Sequence, residues 1–210
     1  MAQRQQLVIG TYPLINRGCG DYHSRRIPHV DFYDETCNSI TINTGATLRI
    51  ADQTLSVSNA VDVYGTLELT NTAAKLYCTY MTWGNGSTGS MSGSSVISLS
   101  RNWEFSSGAN INFTSGYVDF TGTIASYITS KDGNCAFNHV RNFKSATYLA
   151  HSSASTTGSV INGNLYMYSG SELRSFSSQR IELNGFLNNI AGSIHLDSGI
   201  FEFKGGFTTN

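Results

Sequence analysis

Ala109-Asn110-Ile111-Asn112-Phe113-Thr114-Ser115-Gly116-Tyr117-Val118-Asp119-Phe120-Thr121-Gly122 returns 83 residues later as Gly192-Ser193-Ile194-His195-Leu196-Asp197-Ser198-Gly199-Ile200-Phe201-Glu202-Phe203-Lys204-Gly205. No gap opens inside the phrase. Ile, Ser-Gly, Phe and the closing Gly are identical, and the other apolar positions stay apolar. A looser copy lies upstream in Gly45-Ala46-Thr47-Leu48-Arg49-Ile50-Ala51-Asp52-Gln53-Thr54-Leu55-Ser56-Val57-Ser58. Each copy is two short runs alternating apolar and polar residues around a small polar turn. Alternation with period two marks half-buried strands, and its reuse marks a stacked repeat protein. The expected fold is all-β, a right-handed parallel β-helix (β-solenoid) with apolar side chains pointing inward. A β-sandwich alternates similarly but rarely repeats its sequence internally.

Outward from the phrase the same beat continues through Ile40 and Ile42, Leu48 and Ile50, Leu55 and Val57, Val61 and Val63, and Leu67 and Leu69, with polar turns between. No stretch offers an amphipathic helix with caps. Residues 1–38 hold the irregular features, with Pro13, Gly18, Gly20, Pro28 and Arg25-Arg26, and are expected to form an N-terminal cap; residues 39–210 are expected to form the solenoid. Residues 84–95 are rich in Gly and Ser and read as a loop protruding from the stack.

The chain has 210 residues, with 13 Lys plus Arg against 14 Asp plus Glu and a net charge of -1. This excludes a basic field for nucleic acid. No apolar run approaches the roughly 18 residues of a membrane span. Met1-Ala2-Gln3-Arg4-Gln5-Gln6 before Leu7-Val8-Ile9 does not make a secretory signal. Phe207-Thr208-Thr209-Asn210 follows a repeat phrase with no recognisable cap, which suggests a fragment of a longer protein and an open C-terminal coil where a neighbouring chain could pair. Four cysteines, Cys19, Cys37, Cys78 and Cys135, allow two disulfides with three possible pairings. Cys19–Cys37 would staple the irregular segment; Cys78 and Cys135 are as readily reduced core residues.

Pro28-His29-Val30-Asp31-Phe32, Thr36-Cys37-Asn38-Ser39-Ile40-Thr41-Ile42-Asn43-Thr44-Gly45-Ala46-Thr47-Leu48 and Val63-Tyr64-Gly65-Thr66-Leu67-Glu68-Leu69 resemble the repeat regions of large secreted Bacteroidetes surface proteins. Val160-Ile161-Asn162-Gly163-Asn164-Leu165 and Phe201-Glu202-Phe203-Lys204-Gly205 fit the same pattern. The resemblance implies a right-handed parallel β-helix, export by the type IX route, and display at the cell surface. It carries no catalytic residues across, and the C-terminal sorting domain of a full-length member is not in this sequence.

Parallel β-helices include pectate-lyase-like enzymes, so the strand carboxylates Glu68, Glu104, Asp119, Glu182 and Glu202 are candidates for acid/base work. Each lies between apolar neighbours, which turns it outward. Asp119 and Glu202 occupy equivalent phrase positions and are expected to align in a carboxylate ladder. Nothing in the spacing enforces a catalytic separation, and solvated surface charge is the favoured reading. Cys19, Asp21, His23, His29, Asp31, Asp34, Glu35 and Cys37 are too dispersed for a zinc site. No nucleophile elbow is present, His139, His151 and His195 show no partner pattern, and isolated Thr residues do not make an ice-binding array. Aromatics give the best binding hint. Tyr166 and Tyr168 should stand outward beside inward Leu165 and Met167, and Tyr77, Tyr80 and Trp83 form a second group leading into the Gly/Ser stretch. These rings would either offer stacking faces to a surface polysaccharide or shield neighbouring coils. The sequence thus points to a non-catalytic extracellular scaffold or adhesin-type segment without a cofactor, with a carbohydrate-binding or pectate-lyase-like protein as the alternative.

Overall fold

The computed structural model describes residues 6–9, 35–130, 134–153, 158–175, 180–197 and 199–209. Most of the expected N-terminal cap, including Cys19, lies outside them. From residue 35 onward the described chain repeats one circuit: a strand on a first face, a strand on a second and a strand on a third. The opening circuit uses Glu35–Cys37, Ser39–Ile42 and Thr47–Ile50. All strand pairing is parallel, between one circuit and the next. The first face holds nine strands and so does the second, which also takes in Gln6–Ile9. At about 4.8 Å per rung, nine strands give a stack about 40 Å long. The expectation of an all-β parallel solenoid holds.

The reason is the alternation itself. Ser39–Ile42, Thr54–Val57, Ala60–Val63 and Thr66–Leu69 each bury every second side chain. Because pairing is in register, like positions stack into inward columns. Leu55, Leu76, Ile97 and Val118 follow one another at intervals of 21 residues on the first face, all buried. Ile42, Val63, Trp83 and Phe105 do the same on the second face. The columns change size along the axis. Early coils are filled by Ile, Leu and Val; the middle ones hold Trp83, Trp103, Phe105, Phe113 and Phe137, with Trp103 and Phe137 centroids 5.4 Å apart.

Two expectations are corrected here. The Gly/Ser stretch 84–95 is no protruding loop, because Thr88–Met91 is a strand of the third face paired with Thr66–Leu69. Its small residues are needed where the tryptophans fill the lumen: a Cβ on Gly89 would lie 2.7 Å from Trp83 Cη2. The duplicated phrase also does not repeat in phase. Its first copy ends on the first face (Tyr117–Phe120) and its second on the third (Ile200–Phe203), so Asp119 and Glu202 stand on different faces and form no ladder. Coils lengthen after Val118, whose column runs through Val140, Leu165 and Leu187 to Phe207.

The third face is divided. Thr47–Ile50, Thr66–Leu69 and Thr88–Met91 form one three-stranded sheet; the sheet opening at Asn110–Asn112 has five strands. No ladder joins Thr88–Met91 to Asn110–Asn112, although the two strands lie side by side.

Candidate functional site

Outward positions of the first face gather the densest set of aromatic and charged side chains in the described residues. Tyr117–Phe120 stacks on His139–Asn142, which stacks on Leu165–Met167. Register sets Tyr117 against His139, Asp119 against Arg141, and Arg141 against Tyr166. Tyr117 and His139 lie face to face, with centroids 4.9 Å apart and planes 24° apart, and Phe143 and Tyr168 do the same at 4.1 Å and 18°. The first separation is close to one rung. The ring planes therefore stack along the axis, and these rings turn edges outward.

Tyr166 and Tyr168 stand outside buried Leu165 and Met167, as expected. Tyr168 spends a face on Phe143, and Tyr166 lies near-perpendicular to His139 while its hydroxyl accepts from Asn164 Nδ2 at 3.1 Å. Tyr77 and Tyr80 are exposed, on the first and second faces. Trp83 is not on the surface at all. It follows inward Met81 by two residues and is fully buried, packed on Trp103 and Phe113. A residue two places from an inward strand position points inward too, so the aromatic grouping Tyr77–Tyr80–Trp83 does not exist in space.

Asp119 is nearly buried and forms a bidentate pair with Arg141, Nε to Oδ1 at 2.6 Å and Nη2 to Oδ2 at 2.7 Å. Burial raises its pKa, and Arg141 only partly offsets that. The Arg141 guanidinium also lies 4.4 Å from the Tyr117 ring centroid. His139 Nδ1 accepts the Asn164 backbone N–H at 2.7 Å, and burial followed by the Arg141 charge lowers its pKa, so the imidazole is held neutral.

The other candidate carboxylates are also engaged. Glu68 accepts from Arg49 Nε at 2.8 Å. Glu182 accepts from Lys204 Nζ at 2.7 Å and pairs with Arg180, which also reaches Glu202 at 2.8 Å. Lys204 first, with Arg180 contributing, holds the Glu182 carboxyl below its usual value. Glu104 lies outward on the second face between Thr82 and Thr129. Among the described residues no group of three or more His, Cys, Asp or Glu is placed to hold a metal ion.

Cys78 and Cys135 are buried, on the first and third faces respectively, and are not joined to each other. Burial pushes the Cys78 thiol up to about 12 and raises Cys135 well above the ordinary value. The Cys19–Cys37 pairing falls outside the described residues.

An open groove of about 490 Å³ runs along the corner between the first and second faces, past Tyr148, Glu172 and Arg174. Its floor is made of turn residues with little or no side chain, Ala146, Gly170 and Gly192. Glu172 pairs with Arg174 at 2.7 Å, His195 Nε2 lies 3.6 Å from the same carboxylate, and the Arg174 guanidinium sits 4.5 Å from the Tyr148 ring centroid. Sequence reasoning missed this cluster and the Tyr117–His139–Arg141 set. The usable signal was the coil period, which places Tyr117 and Asp119 one rung from His139 and Arg141.

Comparison with protein families, curated proteins and solved structures gave no match. Among the described residues no helix is long and apolar enough to cross a membrane.

Proposed function

We propose that this chain is a non-catalytic, rigid β-solenoid segment of an extracellular or cell-surface protein, serving as a stalk or adhesin-type scaffold. One observation carries the reading: the outward functional-looking side chains are spent on one another between coils. Tyr117 with His139, Phe143 with Tyr168, and Asp119 with Arg141 each tie one coil to the next. Such contacts stiffen a stack whose coils touch only their neighbours. The extracellular and type IX part of the proposal rests on the resemblance to Bacteroidetes surface repeats, and the absence of catalysis on the engagement of the carboxylates.

A specific observation favours the carbohydrate-binding alternative as the second reading. The corner groove combines an acceptor (Glu172), a donor (Arg174) and a ring (Tyr148), the groups that hydrogen-bond and pack on sugar hydroxyls and C–H faces. A panel of polysaccharides incubated with the purified chain, scored for retention and for new chain ends, separates the readings. The scaffold predicts neither signal. Retention abolished by Tyr148→Ala would establish a glycan-binding module, and new chain ends lost on Glu172→Gln would make the protein an enzyme. Light scattering over a wide concentration range tests whether a neighbouring chain pairs with the C-terminal coil.

A further inference from the structure

The corner joining the first face to the second changes along the axis. Upstream it is tight, with Ser58-Asn59 or Thr79 alone between consecutive strands. There a hydroxyl from each coil reaches the carbonyl one coil back: Ser58 Oγ donates to Cys37 O at 3.3 Å, and Thr79 Oγ1 to Ser58 O at 2.9 Å. Downstream the corner widens to residues 100–102, 121–125 and 143–146. A short hydroxyl now barely spans the step, as Ser126 Oγ reaches Ser100 O only at 3.4 Å.

Lys144 fills the widened corner. It is fully buried, and its Nζ donates to Ile124 O at 2.6 Å, one coil back, and to Ser100 O at 2.7 Å, two coils back. Its backbone N–H donates to Asn142 Oδ1 at 3.1 Å, while Asn142 Nδ2 donates to Glu172 O at 3.0 Å, which ties the following coil into the same corner. Both acceptors of the ammonium are backbone carbonyls, the ligand type that otherwise receives bound cations. Among the described residues no carboxylate pairs with it.

We propose that Lys144 is a built-in cation that clamps three successive coils at this corner, and that the clamp keeps its hydrogen bonds but sheds its charge as pH rises. An ammonium has three donors; the neutral amine keeps two, enough for both carbonyls. Deprotonation removes the cost of a buried charge lacking a counter-ion. The charged groups around it reinforce that cost. The 100–102 corner contributes Arg101, the 121–125 corner has no titratable residue, Arg141 on the preceding strand is committed to Asp119, and Tyr168 of the next corner is stacked on Phe143. Burial first, then Arg101, lowers the Lys144 pKa from 10.5 to about 8.

The sign follows from proton counting. Between about 8 and 10.5 the unfolded chain holds a proton that the folded chain has lost, so stability climbs with pH. Above 10.5 the gain is complete, and it disappears as pH falls through about 8, where both states are protonated. The full window corresponds to about a 300-fold change in the folding equilibrium.

The test has two arms. The Lys144 side-chain resonances of the isotope-labelled chain are followed through a pH titration by NMR, in wild type and in Arg101→Gln. Unfolding midpoints of wild type and Lys144→Met are measured across the same range, where ionisation of the tyrosines cancels in the difference. Expected are a wild-type midpoint near pH 8, an upward move of that midpoint in Arg101→Gln, and a wild-type gain over Lys144→Met as pH rises through the window. A midpoint at the ordinary 10.5, or a flat difference between the two chains, would overturn the proposal. If Lys144→Met does not fold, the titration arm decides alone.

Discussion

Gly89→Ala asks whether the Gly/Ser stretch is core or ornament. The added Cβ would sit 2.7 Å from Trp83 Cη2, 3.0 Å from Trp83 Cζ3 and 3.2 Å from Phe113 Cε1. Gly89 is not among the residues with positive φ, so the conflict is one of volume alone. Trp83 has little room to recede, because it is fully buried with Trp103 at a centroid distance of 5.8 Å and Phe113 at 5.9 Å. Overpacking of this kind costs about 1–3 kcal/mol. For a chain of this length that lowers Tm by about 2–12 °C. A substitution in a free loop would stay within about 0.5 kcal/mol. Trp83→Phe shortens the ring at the point of conflict and is destabilising alone through the space it leaves. The double variant should nevertheless be more stable than the two single effects summed, by about 1 kcal/mol. Thermal melts of the four chains by circular dichroism measure this cycle. A Gly89→Ala chain that melts with wild type, or four strictly additive values, would refute the account of the strand and its lumen.

Asp119→Asn leaves Arg141 half-buried without its carboxylate and should cost about 1.5–3 kcal/mol; adding Arg141→Leu should recover part of that in denaturant titrations, and a further loss would contradict the pairing. Cys78 and Cys135 should resist alkylation in the folded chain at neutral pH and react on unfolding, read by peptide mass spectrometry, given burial and a Cys78 thiol pushed up to about 12. Acid should act through Glu182. Its folded pKa lies below 4.5, so it contributes stability at higher pH that is lost as pH falls through the folded value. Asp119 is shifted the other way and loses nothing there, so Glu182→Gln should flatten the acid limb of a stability profile while Asp119→Asn should not. An unchanged acid limb in Glu182→Gln would count against the Lys204–Glu182–Arg180 cluster.

What was legible in the sequence was what strand alternation dictates: the inward set from Ile40 to Val140, the absence of helices, and the outward stance of Tyr166 and Tyr168. What misled was phase. Trp83 could have been placed by its spacing from Met81, but its position beside a Gly-rich stretch suggested a surface. That stretch reads as a loop because composition cannot show that Trp83 and Phe113 occupy the volume a side chain at Gly89 would take. The carboxylate ladder failed for a related reason. Four coils beyond Val118 stands Phe207, while the repeated phrase aligns Val118 with Phe201, since coil length drifts and each phrase spans only two of three faces. Lys144 was invisible because its acceptors are main-chain oxygens from two earlier coils, which no residue pattern records.

The gap in the third face between Thr88–Met91 and Asn110–Asn112 has a mechanical meaning. On the first and second faces hydrogen bonds run without interruption across this level; on the third, the rod is held there chiefly by the aromatic filling of Trp83, Trp103 and Phe113. Under tension along its axis the stack should open first at this level and on this side, bending before it breaks. A rod pulled at both ends would then give way in two steps, the shorter Ile- and Val-filled length parting from the longer aromatic one.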